Sequence, residues 1–188
     1  MIQAKILLSL GLFLFVNSGK SNHVSKDVLD NNVKWMTLEQ AVLQLEQDKS
    51  EGKKTKLIFI DIFTNWCGWC KKMDKETFEH PNISKYINDN FYPVKLNAEQ
   101  REDIIFQDRT YKYISNGRRG YHELAASLMG GKMSYPTVVF LNEELKILQR
   151  LPGYLDAKAF DKISNYLVGE HYKNTSWKKF DKTYKSDF

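Results

Sequence analysis

The segment Leu57–Phe63 (LIFIDIF) constrains this chain most: an apolar run with one charge inside it, Asp61, that leads into Trp66-Cys67-Gly68-Trp69-Cys70-Lys71-Lys72-Met73. Four to eight apolar residues in a row read as a buried strand. Met73 and Phe78 continue the pattern beyond the cysteines as a helix, so Cys67 is placed in a first helical turn.

Cysteine usage narrows the chemistry. Cys67 and Cys70 are the only two cysteines of 188 residues. A bridge between them closes a very small loop and removes little entropy from the unfolded chain, so it is a poor structural staple. Structural zinc takes about four ligands, and His23, His80, His122 and His171 are scattered without ligand spacing. Redox chemistry remains, and no metal or other cofactor is expected.

A thiolate, rather than a thiol, attacks disulfides. At a helix start, the Cys67 sulfur would lie exposed beside unpaired backbone N–H groups and the positive end of the macrodipole. Both favour the anion, drawing its pKa from about 8.5 toward about 7 or lower. Cys70, one turn further in and better shielded, is placed to resolve a mixed disulfide. Gly68 lets a substrate chain approach closely.

The rest of the chain supplies a core. Thr37-x-x-Gln40 forms a capping box before a helix carrying Leu38, Ala41, Val42 and Leu45, which ends at Gly52. Pro81 suits the first turn of another helix. Phe91–Leu96 reads as a strand, with Pro93 putting a break or bulge near its start. In the segment from Gln100 to Gly131, Ile104, Ile105, Tyr111 and Ile114 suggest a helix, Asn116-Gly117-Arg118-Arg119-Gly120 breaks it, and Tyr121–Met129 suggests a second. Thr137–Leu141 and Lys146–Leu151 make a strand pair, followed by a helix capped by Asp156 that carries Phe160, Ile163 and Leu167. That order fits a mixed sheet covered by helices.

Residues 1–19 read as a signal peptide: Met1 to Lys5, the apolar run Ile6 to Val16, and a cleavage pattern at Val16-Asn17-Ser18. The run is too short to span a bilayer, which takes about 20 apolar residues. No stable membrane insertion is expected after its removal, and a secreted or periplasmic location follows. A polar linker over 20–32, a domain over 33–170 and a basic, aromatic tail over 171–188 complete the division. The net charge of +5 is spread without a long basic block, which argues against a nucleic-acid partner.

The segment from Asp61 to Lys71 resembles the active-site strand and helix of the thioredoxin superfamily, matching at Asp61, Phe63, Trp66, Cys67, Gly68, Cys70 and Lys71. Val94-Lys95-Leu96-Asn97 resembles the family's next core strand, Tyr135-Pro136-Thr137 its cis-proline loop, and Gly153 a glycine after the hairpin. The cysteine block is most similar to exported bacterial members. The resemblance implies a thioredoxin-like three-layer α/β/α sandwich with a central mixed sheet and a helical elaboration before the cis-proline loop. It further implies that Cys67 attacks, that Cys70 resolves, and that a buried Asp61 with raised pKa relays the Cys70 proton while Lys95 tunes it. Trp66, Trp69 and Tyr135 would form an apolar rim, and Pro136 a docking edge for extended substrates.

Two features depart from the family. Trp69 replaces the proline between the cysteines, where residue choice sets the reduction potential; family values span about 150 mV, or about 7 kcal/mol. The segment before the cis-proline loop is also longer than usual. The activity expected is thiol–disulfide exchange with exported proteins; Trp69 leaves reductant, isomerase and oxidant all open, and a reductant supplied by a membrane electron donor is the favoured direction. The alternatives are a client-specific partner in haem or copper protein maturation, or a binding or chaperone module with incidental cysteines.

Overall fold

In the computed structural model, residues 32–117 and 119–186 are described. The expected leader over 1–19 and nearly all of the 20–32 linker lie outside them. Among the described residues, no helix is long and apolar enough to cross a membrane.

The run Leu57–Phe63 is β1, with every residue from Ile58 to Ile62 buried. It pairs in parallel with β2 (Phe91–Asn97) and antiparallel with β7 (Thr137–Leu141), which pairs antiparallel with β8 (Ile147–Pro152). The sheet order is β2-β1-β7-β8, a mixed sheet with β1 and β7 in its interior. Side chains of a strand alternate between faces, and each face has its own core. Ile58, Ile60 and Ile62 face α1 (Leu38–Ser50) and α4 (Glu123–Leu128). Phe59 faces α2 (Gly68–Met73), α3 (Pro81–Asn90) and α5 (Ala157–Val168), packing edge-on against Phe78 and Phe160. Alternation puts Asp61 on the Phe59 face, the side covered by the helix of the cysteines. This is the α/β sandwich that the resemblance implied.

Local signals place the helices. Thr37 and Gln40 close the capping box of α1 in both directions, and Asp156 accepts from Ala159 at the start of α5. After Met73 the cysteine helix widens into a π-helical turn over Asp74–Phe78. The tail forms α6 (Trp177–Thr183), whose Phe180 is buried against Tyr166 of α5 at 5.0 Å between ring centroids.

Two expectations are corrected. Pro93 causes neither break nor bulge; β2 keeps its register with β1 throughout. Within a strand, N–H and C=O of one residue point the same way. Pro93 turns its carbonyl outward to accept from Met36 at 2.8 Å, so the N–H it lacks would not have bonded β1. The helix expected from Ile104 to Ile114 is instead two hairpins: β3 (Ile104–Phe106) with β4 (Arg109–Tyr111), and β5 (Tyr113–Asn116) with β6 (Arg119–His122). The first turns through Gln107 and Asp108 at φ 51° and 60°, the left-handed pair that a two-residue hairpin turn needs. The elaboration is therefore mainly β, with the second expected helix present as α4.

Candidate active site

Cys67 is the N-cap of α2. Its N–H donates to Thr64 at 3.1 Å, and its sulfur accepts the N–H of Cys70 at 3.0 Å. The turn that starts the helix thereby aims a backbone donor at the Cys67 sulfur, the arrangement that favours an anion there. Cys67 and Cys70 form a disulfide, with Cα atoms 5.3 Å apart. The expectation of an exposed Cys67 is corrected: it is 4% exposed and Cys70 1%. The flanking indoles take the solvent positions instead, Trp66 at 53% and Trp69 at 58%. Cys67 nonetheless belongs to neither core cluster, and above Gly68 the space is open.

On the face of the sheet covered by α2 lies a carboxylate pair with a shared cation. Asp61 is fully buried, and Lys95 donates to its Oδ2 at 2.6 Å and also to Asp74 Oδ1. Asp74 begins the turn after Cys70 and donates its own N–H to the Cys70 carbonyl. The cation thus ties the strand of Asp61 to the helix of Cys70. Its ammonium also lies over the rings of Trp35 and Phe63, at 4.8 and 5.1 Å. Burial raises the Asp61 pKa to about 6 despite the opposing pull of Lys95, and the charge of Asp74 pushes in the same direction as burial.

Three elements meet on Trp66. Its indole N–H donates to Glu99 Oε1 at 3.0 Å, its ring meets Tyr135 edge-on at 5.8 Å, and the Arg119 guanidinium lies over it at 5.0 Å. Tyr135 precedes the buried Pro136 across a cis peptide bond. Burial, then Glu99, pushes the Tyr135 hydroxyl up to about 12. On the other side, Trp69 packs against Tyr154 at 5.5 Å, with Lys72 over both rings.

The structure therefore brings Asp61 and Lys95 into one cluster, and Trp66, next to Cys67, and Tyr135 into another; Trp69 packs with Tyr154 and Lys72 instead. Sequence reasoning missed Asp74, Glu99, Arg119 and Tyr154. Asp74 had a signal: it follows Cys70 by four residues, hence lies on the same helix face. The other three arrive from distant segments, and local spacing holds no trace of them.

A family model described as a thioredoxin-like domain matches residues 43–167. An uncharacterized protein of Caenorhabditis elegans is 30% identical over 92 residues, covering 49% of this chain and 12% of that protein. The thiol:disulfide interchange protein DsbD of Actinobacillus pleuropneumoniae is 24% identical over 147 residues, 77% of this chain and 21% of that protein. The chain thus spans a minor part of these relatives' lengths. Among solved structures, a DsbH oxidoreductase superposes with a TM-score of 0.53 at 17% identity, over 81% of this chain and 95% of that one.

Proposed function

The chain belongs to the thioredoxin-like domain family, and from that membership we propose that it exchanges disulfides with exported proteins through Cys67 and Cys70, as a reductant recharged by a membrane electron donor. The observation that carries this reading is the Cys67–Cys70 disulfide at the amino end of α2, with a backbone N–H aimed at the Cys67 sulfur.

In the reduced protein the Cys67 thiolate attacks a substrate disulfide. One substrate sulfur leaves and takes up a proton, and the other stays bonded to Cys67. Cys70 then gives up its proton, attacks the Cys67 sulfur and expels the second substrate thiol. Two electrons pass to the substrate; its first sulfur takes a proton from solvent and its second takes back, by way of Asp61, the proton that Cys70 gave up, and the Cys67–Cys70 bond closes. Asp61, as a carboxylate above its pKa of about 6, serves as acceptor for the Cys70 proton, and Lys95 holds it in place. Trp66, Trp69 and Tyr135 make the apolar surface on which the substrate chain lies, alongside Pro136.

The test uses the reduced protein and a model protein disulfide such as insulin. Turnover is expected in the wild type and absent in Cys67→Ser, while Cys70→Ala should stall as a mixed disulfide with the substrate. Turnover that survives in Cys67→Ser, or no turnover by the wild type, would overturn the reading.

A further inference from the structure

We infer that Arg119 selects polypeptide substrates that carry a carboxylate beside their reactive cysteine. The inference rests on the oxidoreductase reading above and adds the substrate class.

Arg119 opens β6, far from the cysteines in sequence, yet its guanidinium lies over Trp66, the residue just before Cys67. A guanidinium held over an indole by cation–π attraction still carries its N–H donors in a planar fork that matches a carboxylate. Among the described residues, no carboxylate or carbonyl bonds that fork. The nearest acidic group on the same indole, Glu99, accepts from the Trp66 N–H instead. Arg119 is exposed, so a substrate resting on Trp66, the residue next to Cys67, meets a cation that no carboxylate among the described residues engages.

The hairpin that presents Arg119 is pinned. The His122 N–H donates to Ala98 at 2.7 Å, and the His122 ring bonds both the Glu102 carbonyl and the Leu124 N–H. At Gly120 the Tyr113 ring crosses so closely that a Cβ would lie 2.2 Å from its hydroxyl. The strand that presents Arg119 is therefore fixed by these contacts, and its guanidinium rests on the Trp66 ring. Lys71, exposed on α2, adds charge of the same sign, whereas Lys72 is engaged by Glu76 at 3.8 Å and by two rings.

The probes are two synthetic peptides of otherwise equal sequence, each a disulfide-linked dimer, with glutamate or lysine on both sides of the cysteine. Each rate of reduction by the reduced protein is divided by that of the same peptide with dithiothreitol, which removes intrinsic reactivity. The wild type should prefer the glutamate peptide about fivefold at low ionic strength, the upper end for an exposed pair, and the preference should fade with salt. Arg119→Ala should bring the ratio near one, and Arg119→Glu should invert it. A ratio that both variants leave unchanged overturns the assignment of Arg119 alone. Failure of the wild type to reduce either peptide overturns the oxidoreductase reading and this inference together.

Discussion

Lys95 donates a 2.6 Å hydrogen bond to Asp61, and the same ammonium bonds Asp74, so one cation serves a buried strand carboxylate and a partly exposed helix carboxylate. The second Asp61 oxygen has no hydrogen-bond partner among the described residues. A buried carboxylate with half its acceptors unmet and half a lysine's charge is poorly compensated. That is why burial outweighs the ion pair and the Asp61 pKa rises rather than falls.

A pH-dependent stability follows. The unfolded Asp61 carboxyl ionises near 3.8 and the folded one at about 6. Between those values the native chain keeps a proton that the unfolded chain has released. The contribution of Asp61 therefore declines as pH rises through that window, and it is level above it. Asp61→Asn cannot ionise, so relative to wild type it should gain about 2 kcal/mol between pH 4 and pH 8. Urea unfolding of the oxidised proteins at both pH values measures this. An Asn variant whose stability difference from wild type is the same at pH 4 and pH 8 would sink it.

Removal of the cation should act in the opposite sense. Lys95→Met leaves Asp61 and Asp74 without their shared partner, at a cost of about 3 kcal/mol at pH 8. Most of that loss should return at pH 5, where Asp61, with its pKa raised to about 6, is protonated and no longer needs the cation. If the loss is equal at the two pH values, Lys95 contributes by packing on Trp35, Phe63 and Phe78 rather than by charge.

The β5–β6 hairpin has a steric key. A Cβ at Gly120 would lie 2.2 Å from the Tyr113 hydroxyl and 2.4 Å from the Ile114 carbonyl oxygen. The tyrosine could swing away, but the Ile114 oxygen belongs to the paired strand itself. Gly120→Ala should therefore loosen the hairpin while sparing the main sheet, destabilising it by about 1–3 kcal/mol. Faster amide exchange confined to residues 113–122 and a shifted Trp66 fluorescence are the expected signs. Unchanged exchange there would show that the hairpin absorbs the methyl group.

Legibility varied with the range of the interaction. β1, the capped start of α1 and the seating of Cys67 at the start of a helix depend on residues within a few positions of one another, and the local pattern displays them; that Cys67 is the N-cap itself comes from the structure. The hairpins over 104–122 are hidden from the local pattern because Ile104, Ile105, Tyr111 and Ile114 have mixed spacing. Alternate positions turn out to be buried, Ile104 and Phe106 but not Ile105. The turn at Gln107 and Asp108 also lacks the glycine that usually announces a left-handed pair. Pro93 is illegible for a different reason: the cost of its missing N–H depends on which neighbour that edge faces.

By its own order of residues this chain determined a buried strand that leads into a helix with a cysteine at its start and a second cysteine one turn inward. Those are short-range consequences of hydrophobic pattern and capping. Only the tertiary structure decided that Lys95 divides its charge between Asp61 and Asp74, and that Glu99, Arg119 and Tyr135 converge on Trp66. Such contacts join residues tens of positions apart, and their geometry exists only once both faces of the sheet are packed.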